Sequence, residues 1–105
     1  MTKHKKLEEV HEEYFREHPD EIHDYLTEIF TAYAEDEDTA ALLSQLRVIA
    51  RVRGISEISQ TIGLTRQGLQ KALSENGNPR LENITAIMKA MGYKLTPQPL
   101  ELRSP

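Results

Sequence analysis

The stretch that most restricts how this chain can fold is residues 55–73, ISEISQTIGLTRQGLQKAL. Ile55, Ile58 and Ile62 recur at the spacing of one side of a short helix. Gly63 and Leu64 follow, and Thr65 stands where a helix N-cap is expected, with a hydroxyl suited to accept a bond from a first-turn N–H. Leu69, Ala72 and Leu73 form a second apolar set. Small Ser59 lets two helices approach, Gly63 supplies a left-handed turn residue, and Leu64 and Leu69 plug the corner. Two short helices joined this way make a helix-turn-helix, whose second helix lies in a DNA major groove.

Upstream, residues 3–18 have an apolar stripe at Leu7, Val10, Tyr14 and Phe15, too thin to hold a helix without a partner. Pro19 ends that helix. His4, His11 and His18 recur every seven residues, with His23 beyond. Seven residues span about 10 Å of helix, too far for a shared metal ion, so solvated histidines are expected. Residues 20–35 are a cleaner amphipathic helix, with Ile22, Tyr25, Leu26, Ile29, Phe30 and Tyr33 on one side and Asp20 as N-cap. Asp38 or Thr39 caps a third helix, which runs to about Arg53 and stops at Gly54. Leu42, Leu43, Leu46, Ile49 and Ala50 point inward, and Arg47, Arg51 and Arg53 lie on or near its outer side. After the helix-turn-helix, Asn76-Gly77 predicts a left-handed turn. A closing helix runs from about Leu81 to Met91, with Leu81, Ile84, Ile87, Met88 and Met91 inward. The tail alternates at 93–96 and 100–103, broken by Pro97 and Pro99, which predicts one or two short edge strands.

Charge divides the chain. Residues 1–38 carry 4 Lys/Arg against 13 Asp/Glu, and residues 39–105 carry 9 against 4, giving −9 and +5. A basic DNA-facing part and an acidic part with another task are implied. The expected organisation is an acidic helical segment at 1–38, a DNA-binding domain at 39–96 and a tail at 97–105. Cysteine is absent and no apolar run approaches the length of a membrane span, so a cytoplasmic protein is expected. No glycine-rich phosphate loop, nucleophile–base set or metal-ligand spacing occurs, so no enzyme activity, cofactor or metal is expected.

Residues 39–96 resemble the Cro/repressor-type (XRE) DNA-binding domains. More narrowly, RVIARVRGISEISQTIGLTRQGLQKALSENGNPRLENITAIMKAMGYKL resembles the addiction-module antidote proteins, the HigA-type antitoxins, and DEIHDYLTEIFTAYAEDED is similar to that family's acidic second helix. The likeness covers about residues 20–96. Gly68, inside the second helix of the motif, belongs to it, although glycine costs about 1 kcal/mol there against alanine. The fold implied is all-α, a Cro/repressor-like helix-turn-helix domain with two acidic N-terminal helices and a short C-terminal β extension. Arg66, Gln67, Gln70 and Lys71 are expected to contact bases, since Arg pairs with guanine O6/N7 and Gln with adenine N6/N7. Thr65, Asn76, Asn78, Arg80 and, more weakly, Arg53 are expected at phosphates. The resemblance implies a homodimer on operator DNA that represses its own operon, and a small basic RelE/ParE-like toxin as partner. The competing expectation is a stand-alone regulator without a toxin, using residues 1–38 only to dimerise.

Overall fold

The third helix is the spine of the molecule. The computed structural model describes residues 6–100, and within them six α-helices follow in order: α1 (Leu7–Glu17), α2 (Ile22–Asp36), α3 (Thr39–Arg53), α4 (Ile55–Ile62), α5 (Arg66–Ala72) and α6 (Leu81–Ala90). Helix α3 packs against α1, α2 and α4, and α4 in turn packs against α5 and α6. Residues 46–50 of α3 are all buried, as befits a helix enclosed on every side. The core runs without interruption from Phe15 of α1 through Ile22, Leu26 and Ile29 of α2 to Leu69, Leu73, Ile87, Met88 and Met91. Each Leu or Ile taken fully inside contributes about 1.5–3 kcal/mol of transfer free energy.

The helix boundaries have local causes. Helix α1 stops because Pro19 pushes His18 out of the helical region, to φ −129° and ψ 60°. Asp20 does not cap α2 as expected. Pro19–Glu21 form a 3-10 turn that runs directly into α2, so the residue before α2 is Glu21, itself helical and without a side-chain cap. Helix α2 ends on a left-handed Glu37 (φ 54°), whose N–H donates to the Tyr33 carbonyl at 2.7 Å. Asp38 caps α3 by accepting from the Ala41 N–H at 3.1 Å. Gly63, at φ 77°, makes the turn between α4 and α5 in the left-handed region that glycine enters without penalty.

Four further expectations change. The thin stripe on α1 does not turn inward. Phe15 is buried, but Leu7, Val10 and Tyr14 are exposed, and the side facing α3 carries Glu8 and Glu12 instead. Leu81 is 75% exposed rather than inward, because it opens the first turn of α6, beyond reach of the core. Gly77 does not adopt a positive φ. It is required by space, since a Cβ there would stand 2.3 Å from the Ala72 carbonyl oxygen. The tail forms no strand among the described residues. Tyr93 donates its N–H to the Met88 carbonyl at 2.8 Å, and Tyr93 and Leu95 fold back onto the core, the Tyr93 ring stacking on His23. Pro97 and Pro99 then remove two donors that a ladder needs, and no strand among the described residues offers pairing. The second alternating stretch and the start of helix 1, including His4, fall largely or wholly outside the described residues.

Candidate nucleic-acid interface

Helix α5 is short and two-sided. Leu69, and Leu73 just past its end, are fully buried against α4 and the core. That anchoring turns the remaining side outward: Arg66, Gln67, Gln70 and Lys71 are all exposed. Thr65 sets the helix start. Its hydroxyl accepts the Gly68 N–H at 2.9 Å, and its own carbonyl takes the Leu69 N–H. A Cβ on Gly68 would lie 3.0 Å from that hydroxyl, so the glycine clears room for the cap. Ser59, 3% exposed in α4, donates to the Ser56 carbonyl and keeps its small side chain between the two helices.

Of the residues expected at phosphates, Thr65, Arg53, Asn76, Asn78 and Arg80 are exposed. Arg80 lies 3.7 Å from the Glu82 carboxylate, a solvent-facing pair of little energetic weight. Arg66 and Gln67 sit at the start of α5. Gln70, with Ser74, Glu75 and Asn76, instead lines a cleft whose opposite wall is Lys6, Glu8, Glu9 and Glu12 of the α1 region together with Arg47 and Arg51. The structure thus divides the candidate set. The N-terminal end of α5 faces outward, whereas its C-terminal end and the following loop look across at carboxylates.

Arg47 and Arg51 do not lie on the outer side of α3. The Arg47 side chain is 11% exposed. Its guanidinium donates Nε to Glu8 Oε1 at 3.0 Å and Nη2 to Glu8 Oε2 at 2.6 Å, a bidentate pair. Its third nitrogen, Nη1, donates to the Leu73 carbonyl. Leu73 is the C-cap of α5, so this bond gives a donor to one of the carbonyls every helix end leaves over, and sets a cation at the negative end of its dipole. Arg51 reaches Glu12 at 3.2 Å and Glu8 at 3.5 Å, and Glu12 also takes Arg16 at 3.4 Å. The hydrogen bond from Arg47 holds the Glu8 carboxyl below the usual glutamate range; burial opposes this, and the charges of Arg47, Arg51 and Lys6 add to it.

Two consequences reach the candidate interface. Helix α1 is fastened both by Phe15 in the core and by charge, through Glu8 and Glu12. And two of the nine cations in residues 39–105 are paired with carboxylates of α1, so the +5 of that part overstates what duplex DNA would meet. A sequence signal for this existed: Glu8/Glu12 and Arg47/Arg51 are both four apart, so each pair shares one helix side, and the two registers match.

Over residues 6–99 the chain matches the family described as "probable addiction module antidote protein". It belongs to that family. The match takes in α1, which the sequence resemblance at 20–96 had left out. An uncharacterised protein of Haemophilus influenzae is 38% identical over 79 residues, covering 75% of this chain and 77% of that protein. No solved structure matches. An antidote of an addiction module implies a toxin as partner. No helix among the described residues is long and apolar enough to cross a membrane.

Proposed function

We propose that this antidote is a HigA-type antitoxin that binds operator DNA through an XRE-like helix-turn-helix, α4 and α5, as a homodimer, and so represses its own operon. Helix α5 enters the major groove by its N-terminal end. Arg66 and Gln67 read bases, and Gln70 and Lys71 do so from the next turn. Thr65, Asn76, Asn78, Arg80 and Arg53 hold phosphates. The observation that carries this reading is the two-sidedness of α5, with Leu69 and Leu73 locked inside and a row of groups suited to base edges left outside. The toxin is a small basic protein of the RelE/ParE kind, steered by the −9 of residues 1–38. The role is that of a binding protein in the cytoplasm, with neither catalysis nor cofactor.

The test is a gel shift with the gene's own upstream region. The full chain should form a specific complex, and Arg66→Ala with Gln67→Ala should remove the sequence preference, each lost bidentate contact being worth about 1–3 kcal/mol. Since both side chains are exposed, the double variant should melt as the wild type does. A double variant that still prefers its operator to unrelated DNA would refute the assignment. In parallel, the toxin co-expressed with the full chain should co-purify with it.

A further inference from the structure

Helix α1 leaves its apolar side in the open. Leu7 is 69% exposed, Val10 46% and Tyr14 44%, at positions i, i+3 and i+7 along one side of the helix. Leu7 also borders a shallow, mainly apolar groove between α1, α2 and α3, floored by Tyr25, Ala41 and Val48. The two features are continuous through Leu7. Glu17 stands beside Val10 and Tyr14 on the helix surface, and the Tyr14 hydroxyl donates to the Glu21 carboxylate at 2.7 and 2.8 Å. Glu28 stands one turn from Tyr25 on α2. The oily track is therefore bordered by the carboxylates of Glu17, Glu21 and Glu28, with Lys6 and His11 at the groove beside Leu7. The inner carboxylates of α1 are different, since Glu8 and Glu12 are already engaged by Arg47 and Arg51.

We propose that this track, Leu7–Val10–Tyr14 with the groove at Tyr25 and Val48, is where the toxin docks, through a segment with apolar side chains flanked by Lys or Arg. The inference rests on the toxin reading above and specifies its surface. Charge selects the occupant. A second copy of this chain would bring one acidic rim against another, whereas a basic segment meets opposite charge at the rim and apolar contact at the centre. Leaving three large apolar side chains in water on an otherwise charged helix is the pattern of a surface that is covered when the partner arrives.

The experiment titrates purified toxin into the full-length chain by calorimetry, for the wild type, for Leu7→Ser with Val10→Ser, and for Glu17→Lys. Sedimentation and thermal melts of each chain alone accompany it. All three positions are exposed, so the melts should coincide with the wild type. The double variant should bind about tenfold or more weakly, the loss typical of truncated interface anchors. Glu17→Lys should weaken binding and reduce its salt dependence. If the wild type binds and both variants bind equally well, this surface is wrong while the toxin reading stands. If the wild type does not bind, both fall. A lowered sedimentation mass in the double variant alone would make the track a contact between copies of the chain and overturn the proposal.

Discussion

Arg47→Met tests whether one guanidinium ties α1 to the rest of the protein. Methionine keeps an apolar stem of similar reach, so packing is largely retained and the charge is removed. Lost are the two bonds to Glu8 and the bond to the Leu73 carbonyl. A hydrogen bond to a charged group contributes about 1.5–3 kcal/mol, and breaking a buried pair costs about 3–5 kcal/mol. The Glu8 side chain is 33% exposed and keeps Arg51 at 3.5 Å, so water and a second cation recover part of the loss. A destabilisation of about 2–3 kcal/mol follows, or a fall in Tm of about 10–20 °C for a domain of this size. Urea and thermal unfolding followed by circular dichroism at neutral pH measure it. The pH dependence gives a second reading. Glu8 has its pKa depressed in the folded protein, chiefly by the hydrogen bond from Arg47. A depressed carboxyl adds stability above its ordinary value and loses it as pH falls through the lower folded value. The gap between wild type and Arg47→Met should therefore narrow as pH is taken from about 5 toward 3. A loss below about 1 kcal/mol at neutral pH, or a gap that stays constant into acid, would refute the assignment of α1's attachment to this pair.

Three further outcomes are expected. Thr65→Val should cost about 1 kcal/mol in urea unfolding, and Thr65→Ser should restore most of it; equal stability of the two would remove the hydroxyl cap as the reason for threonine. Gly77→Ala should destabilise by about 1–3 kcal/mol, because its new Cβ meets the Ala72 carbonyl oxygen and the loop must shift; an unchanged melt would mean that the loop is looser than the structure describes. Operator affinity should fall linearly in log–log form with salt, and Arg80→Ala should flatten that slope by about one unit; an unaltered slope would take Arg80 out of the phosphate set.

Much of the helical framework was readable from residues alone. The corner at 55–73 declared itself because a left-handed glycine, a capping threonine and two apolar triplets each agree with the others. The limits of α3 were equally plain, since Asp38 and Gly54 are strong punctuation. Apolar spacing does not mark the buried side of α1, where Leu7, Val10 and Tyr14 are exposed and Glu12 is buried. Its docking is decided by Glu8 and Glu12 meeting two arginines 39 residues further on, and hydrophobic periodicity carries no information about that. Gly77 misled for a related reason. Asn-Gly reads as a left-handed turn, but the constraint there is the nearness of a carbonyl from α5, which exists only once the loop has folded back. The tail alternates like a strand, yet alternation supplies no partner for its backbone. At the candidate interface, the exposure of Arg66 and Gln67 followed directly from the helix period. The carboxylate wall opposite Gln70 and Asn76 did not, because it comes from the far end of the chain.

The two acceptors that Arg47 serves are not equivalent in what mutation can do to them. The carboxylate belongs to residue 8 and vanishes with a single codon change. The oxygen at residue 73 is main chain, present whatever amino acid occupies that place. Replacing glutamate at position 8 removes one acceptor and loosens the first helix, whereas the acceptor at position 73 stays in place and loses its donor only when position 47 changes. The grip on α1 therefore needs two particular side chains, and the grip on the end of α5 needs one.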